Sequence, residues 1–187
     1  MLKVLITHAV NDELVAVNLP DCEVKYVCTG IGKVKSTMRL MDALVQERPD
    51  VVINIGTSGT LEHSVGDVFV CRYFIDRDLQ KVECLGLEHE IDSSALLTDK
   101  GYCRYWKPVG VCNTGDSFLT EASGSHGDVF DMEAFAQAQV CQMKNIPFIS
   151  VKYVTDKIGE NSIKHWEDKL ADAREGLSRF LNSLSLA

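Results

Sequence analysis

The chain predicts an α/β fold built on a central sheet that is mixed or mostly parallel. Two observations carry this. Short apolar runs of strand length alternate with longer segments whose apolar residues step by three and four. Val51–Ile55 is a continuous run of large apolar residues but for Asn54, the pattern of a strand covered on both faces. Strands alternating with helices are the signature of an α/β layer architecture. At 187 residues the chain suits a single domain, 1–187, with one sizeable core.

The elements follow in order. Leu2–Thr7 is a compact apolar run and reads as the first strand, and Glu23–Cys28 alternates and reads as the second. Lys33–Arg48 carries Val34, Met38, Met41, Leu44 and Val45 as a helical stripe, ended by Pro49-Asp50. Val51–Ile55 is the buried strand and runs into Gly56-Thr57-Ser58-Gly59. Val68–Ile75 is rich in β-formers, and Val109–Cys112 is a further short strand. Residues 78–108 fit either a hairpin or a loop that shapes the site. Asp131–Lys144 reads as a helix opened by an acidic pair, and Pro147–Val154 as a strand that delivers Asp156 at its end. In the last helix, Ser162–Leu184, the residues Ile163, Trp166, Leu170, Ala173, Leu177, Leu181 and Leu184 form one apolar stripe.

Composition narrows the function classes. A formal net charge of −8 argues against a basic footprint for nucleic acid or an anionic membrane, while leaving room for a local anion site. The seven cysteines form no Cys-x-x-Cys pair, and several lie in apolar runs as buried thiols do, so a reducing cytoplasm is expected. The five histidines lack zinc spacing, and neither a metal nor a cofactor is expected. No apolar run approaches transmembrane length, and MLKVLITHAV is too short and wrongly flanked for a signal peptide.

Several segments bear on chemistry. In an open α/β sheet ligands sit outside the carboxyl ends of the strands, where Asp156 is expected. Asp131 and Glu133 start a helix, where a carboxylate also serves the helix N-terminus. Asn11-Asp12-Glu13, after the first strand, suits a helix cap and equally supplies a general base. Gly56-Thr57-Ser58-Gly59 permits close approach of backbone to a ligand, or is a simple turn. Thr29-Gly30-Ile31-Gly32-Lys33 lacks the third glycine of a dinucleotide fingerprint and the Walker pattern, so its glycines serve a tight turn. Phe118, in Asn113-Thr114-Gly115-Asp116-Ser117-Phe118, is a stacking platform for a flat ring or a core residue.

Taken together, TGIGKV (29–34), VINIGTSGTL (52–61), VGDVFV (65–70), TGDSFL (114–119) and DMEAFAQAQVCQMKNIPFISVKYVTD (131–156) occur in collinear order over most of the chain. In these segments the chain resembles the purine nucleoside phosphorylase/nucleosidase family, and within it the methylthioadenosine/S-adenosylhomocysteine nucleosidase branch. The resemblance implies a three-layer phosphorylase/hydrolase-like fold, a central mixed sheet flanked by helices, and a homodimer acting on a small-molecule purine nucleoside. It implies that Asp156 protonates the purine leaving group and that Glu13 positions and activates water. Glu133 would bind the ribose 2′- and 3′-hydroxyls with Met132 beside the sugar, Phe118 would stack on the base, and Thr57 would lie near the water. Leu119 and Asp131 would line the same substrate site.

The residue types suit that chemistry. Breaking an N-ribosidic bond builds positive charge on the sugar and negative charge on the base, so an acid at the base and a carboxylate gripping the sugar both lower the barrier. General acid–base terms are each worth about 10²–10⁴-fold. Phosphorylases of the family hold phosphate with arginines, one of them in the loop after the first strand. Here that loop reads His8-Ala9-Val10-Asn11-Asp12-Glu13, with two acids and no arginine, which suits water. Arg39 and Arg72 are the remaining candidates for a phosphate. The expected activity is hydrolysis of an adenosine-type nucleoside. The alternatives are a phosphorylase and a non-catalytic nucleoside-binding protein of the same fold.

Overall fold

The computed structural model describes residues 1–121, 124, 126–160 and 162–186, with the side chains of Ser162, Ile163 and His165 outside that description. Eight strands and five helices follow one another as β1 (Leu2–His8), β2 (Cys22–Cys28), α1 (Lys33–Gln46), β3 (Val51–Thr60), β4 (Val68–Asp76), α2 (Arg77–Gln80), β5 (Glu90–Asp92), α3 (Ser94–Lys100), β6 (Val109–Thr114), β7 (Val129–Asp131), α4 (Ala134–Met143), β8 (Phe148–Lys157) and α5 (Ser162–Leu181). Two 3-10 turns, Asn11–Glu13 and Glu83–Leu85, complete the order.

All eight strands belong to one sheet, in the order β2-β1-β3-β7-β6-β4-β5, with β8 pairing to both β3 and β4. The sheet is mixed. β1 runs parallel to β2 and β3, β3 to β8, β4 to β6 and β6 to β7, while β3/β7, β4/β8 and β4/β5 are antiparallel. Strands β3, β8, β4, β6 and β7 therefore close a circuit. β3 pairs with β1 as far as Asn54 and further along with β7, through Gly59 and Phe130, while β8 stays paired with it to Thr60 across a register shift between Ser58 and Gly59. An extra residue in one strand bends it and increases its twist.

Period-two alternation sorts the strands' side chains onto two cores. Val4, Ile6, Val51, Ile53, Ile55, Ile149 and Val151 pack on one face with Ala173, Leu177 and Leu181 of α5. Leu5, Val52 and Phe148 point to the other face, with Leu40 of α1 and Phe135, Ala138 and Cys141 of α4. β3 is covered on both faces, so Val51, Val52, Ile53 and Ile55 are all buried, and the one polar residue among them, Asn54, donates to the Thr7 carbonyl and accepts from Ser150 Oγ. On α5, Gly176 lets the helix settle onto Tyr153, since a β-carbon there would collide with the ring. Among the described residues, no helix is long and apolar enough to cross a membrane.

The elements depart from the sequence expectation in several places. Gly56-Thr57-Ser58-Gly59 lies within β3, not beyond it, because β8 continues to pair with it through Lys157. Asp131 closes a three-residue strand, β7, and the helix begins only at Ala134. The first long helix stops at Gln46 and the last at Leu181. The strand carrying Asp156 runs on to Lys157, so Asp156 lies in its last two residues. Residues 78–108 hold the rest of α2, a 3-10 turn, β5 and α3 at the far edge of the sheet, where β5 returns antiparallel to β4. Ile163, assigned to the apolar stripe of the last helix from sequence, has its side chain outside the described residues.

Candidate active site

A cavity of about 270 Å³ opens beyond the carboxyl ends of β3, β7 and β8. The turn after β1, the turn before α1, the loop after β6 and the start of α5 wall it in, through Glu13, Ile31, Phe118 and Trp166. Every residue expected at the site from sequence lines this one cavity: Glu13, Thr57, Phe118, Leu119, Asp131, Met132, Glu133 and Asp156. No residue of 78–108 is among those lining it.

Glu13 is 5% exposed. It closes the Asn11–Glu13 turn, and its carboxylate folds back on that turn, Oε2 accepting from the Ala9 and Val10 N–H groups at 3.2 and 3.4 Å. Oε1 reaches across to β3, accepting from Thr57 N–H at 2.8 Å and Thr57 Oγ1 at 2.6 Å. Glu13 thus satisfies its own turn and presents a carboxylate to the cavity, so the cap and the functional reading of this residue coexist. Trp166 Nε1 donates to the same Thr57 hydroxyl at 2.8 Å.

The two acids before α4 divide. Asp131 Oδ1 accepts from Thr114 Oγ1 at 2.6 Å, and Oδ2 accepts from Ala134 N–H at 2.9 Å and meets Lys152 Nζ at 2.8 Å. Burial opposes its charge, but Lys152 and these donors outweigh burial and hold the carboxyl below its ordinary range. Burial likewise opposes the Lys152 ammonium, and Asp131 more than offsets it and raises the amine. Both oxygens of Asp131 are thus committed to the protein. Glu133, the residue preceding α4, keeps one such contact, from Gly32 N–H to Oε1 at 2.9 Å. Burial, reinforced by the Asp131 charge, pushes its carboxyl up to about 8.

Asp156 is 2% exposed, with Thr155 Oγ1 at 2.9 Å from its Oδ1. Gly59 makes room for it, since a β-carbon at that position would lie 3.1 Å from Asp156 Oδ2. Phe118 is half-exposed on the cavity's lip, beside Leu119.

Arg77 was not marked by the sequence. It is 3% exposed, and its Nη1 donates to the carbonyls of Asn113 and Asp131, both at 3.1 Å. Its Nη2 donates to the carbonyls of Gly115, at 3.2 Å, and Ser117. It therefore gathers the loop that carries Phe118 and the end of β7 that carries Asp131. The guanidinium lies so close to the loop that a β-carbon at Gly115 would sit 2.5 Å from Nε. Only an arginine next to a strand end hinted at this in the sequence, since its partners are backbone carbonyls far along the chain.

The turn Thr29–Lys33 docks against the same loop. Lys33 N–H donates to Asp116 Oδ1 at 2.8 Å, and Lys33 Nζ pairs with Asp76 and Asp78 at 3.1 and 2.8 Å. Protein carboxylates thus occupy the Gly32 and Lys33 N–H groups at the start of α1, a position where a helix end attracts a phosphate. Arg39 is exposed on α1, and Arg72 donates to the Cys103 carbonyl, so neither lines the cavity. His8 Nδ1 lies 2.9 Å from the Val10 carbonyl, and His126 accepts from Asn113 Nδ2 through its own carbonyl; neither lines the cavity.

A sequence model of the phosphorylase superfamily matches residues 6–185. The chain belongs to this superfamily. Among its curated members, the 5′-methylthioadenosine/S-adenosylhomocysteine nucleosidase of Bacillus licheniformis is 30% identical over 165 residues, covering 75% of this chain and 71% of that protein. The nucleosidase of the same name from a Marinomonas species is 28% identical over 179 residues, 83% of this chain and 78% of its own. Solved structures share the fold. The Helicobacter pylori 5′-methylthioadenosine/S-adenosylhomocysteine nucleosidase with butyl-thio-DADMe-Immucillin-A superposes with a TM-score of 0.80 at 19% identity, over 98% of this chain and 97% of the other. The futalosine hydrolase of the same organism gives 0.79 at 19% identity, over 97% and 96%.

Proposed function

We propose that this superfamily member is a purine nucleosidase, hydrolysing the N-ribosidic bond of an adenosine-type nucleoside to free base and ribose sugar. The observation that carries the reading is the convergence of Glu13, Glu133 and Asp156, from three distant parts of the sequence, on one enclosed cavity. Asp156 is the acid that protonates the departing purine. Glu13 takes a proton from water as the water oxygen adds to the sugar. Glu133 receives the ribose hydroxyls, Met132 lies beside the sugar, and Phe118 and Leu119 cover the base. Thr57 orients Glu13. Asp131 serves the substrate indirectly, by setting the start of α4 from which Glu133 projects.

Hydrolysis is favoured over phosphorolysis by the charges around the cavity. Arg77 is the arginine lining it among the described residues, and both of its Nη groups are spent on carbonyls. The Glu13 carboxylate repels phosphate and tolerates water. A non-catalytic binder has no need of three buried carboxyl groups, whose desolvation is costly. The names of the curated relatives point to a methylthioadenosine- or S-adenosylhomocysteine-like substrate.

A homodimer is part of the same proposal. Val34, Met38 and Val45 on α1, with Ile31 just before it, form an apolar stripe between 43% and 81% exposed, far more than a helix face in a finished surface needs. Ile31 also lines the cavity, so a second copy seated on this stripe would stand at its mouth. Seven free cysteines support a reducing, cytoplasmic setting. The test is to incubate the protein with methylthioadenosine, S-adenosylhomocysteine, adenosine and inosine, with and without phosphate, and to measure free base. Phosphate-independent release supports the reading, and a strict phosphate requirement overturns it in favour of a phosphorylase.

A further inference from the structure

The Thr57 hydroxyl lies between two partners that leave it one orientation. A hydroxyl carries a single proton and can accept through its lone pairs, whereas an indole N–H only donates. Trp166 Nε1 is 2.8 Å from Thr57 Oγ1, so the oxygen accepts there. Its own proton then goes to Glu13 Oε1, 2.6 Å away. The donors run one way, from indole to hydroxyl to carboxylate, and each bond in such a chain polarises the next. The bonds divide the carboxylate unequally. Oε1 receives the two short bonds, both from Thr57, at 2.6 and 2.8 Å. Oε2 receives only the longer contacts from Ala9 and Val10, at 3.2 and 3.4 Å.

We infer that Trp166 is a positioning residue for hydrolysis: its indole N–H locks the Thr57 hydroxyl onto Glu13 Oε1, leaving Oε2 as the oxygen that takes the proton from water. This rests on the nucleosidase reading above. It gives Trp166 a task beyond walling the cavity, and it couples the start of α5, through Thr57, to the carboxylate of the Asn11–Glu13 turn. The two tasks separate by substitution. Phenylalanine keeps an aromatic wall and removes the donor.

Trp166→Phe should lower kcat about tenfold, the worth of one hydrogen bond, with KM changed less than twofold. In a Thr57→Val background the same change should have no further effect on kcat, because the hydroxyl it acts through is gone. A second readout needs no turnover. The chain has two tryptophans, and Trp106 donates its own indole N–H to the Ser185 carbonyl, so Trp106→Phe assigns the remaining indole signal in an NMR spectrum. Thr57→Val should move the Trp166 indole resonance and leave that of Trp106 in place. An unmoved Trp166 resonance overturns the contact. An active wild type whose Trp166→Phe variant keeps full kcat, or loses the same factor with and without Thr57, overturns the positioning role while the nucleosidase reading stands. A wild type that releases no base from the nucleoside panel overturns the nucleosidase reading and the catalytic role of Trp166 with it.

Discussion

Asp156 and Glu133 occupy almost equally buried positions, yet their surroundings give them different work. Asp156 is held near the end of β8 beside Thr155, with Gly59 leaving space at its second oxygen. Asp156→Asn should cut turnover by about 10²–10⁴-fold while base binding, measured by titration calorimetry, persists. Retention of the wild-type rate would refute the acid role. Glu133 is buried against the charge of Asp131 and titrates near 8 instead of the ordinary 4.5. Between those two values the folded chain holds a proton that the unfolded chain has released. Stability linked to Glu133 is therefore present at low pH and falls as pH rises through that window, by on the order of a few kcal/mol in all. Glu133→Gln removes the term, so the variant should melt several degrees above the wild type at pH 9 and close to it at pH 5. Equal melting at both values would show that Glu133 is not held protonated. Both acids were visible in the sequence because they sit in one contiguous, family-like segment. Arg77 and the Trp166 hydrogen bond were not, because their partners are backbone carbonyls and a hydroxyl 36 to 109 residues away.

Among the elements, those that apolar pattern specifies were legible, and those that geometry specifies were not. Val51–Ile55 announces a buried strand, but its extension through Gly59 depends on β8 continuing alongside and on a bulge that no local residue type demands. β7 is three residues long and merges, in sequence, with the apolar run of α4, so periodicity could not separate them. The loop after β6 is likewise shaped from a distance, by Arg77. Arg77→Met would leave four carbonyls without that donor and should lower stability by about 2–4 kcal/mol. For a chain of this size that corresponds to a fall in Tm of roughly 5–15 °C, measurable by calorimetry. A variant that melts like the wild type would show that the loop holds its shape without the guanidinium.

At the scale of the molecule, closing β3, β8, β4, β6 and β7 into a circuit brings Glu13, Glu133 and Asp156 together although they lie up to 143 residues apart. Sequence could name six of the strands and the class of fold, but not β5, β7 or this closure, which depends on β8 pairing with two partners at once. The same architecture leaves one apolar face uncovered, along α1. Replacing Val34 and Met38 by glutamate should turn a dimer into a monomer in sedimentation velocity, and a wild type that sediments as a monomer would remove the dimer from the account. For the cavity itself the direct measurement is release of free adenine from methylthioadenosine in phosphate-free buffer. A nucleosidase gives steady release with free 5-methylthioribose as the second product, at a rate that added phosphate does not change. Release that begins only when phosphate is added, with a ribose 1-phosphate as the second product, would contradict that reading.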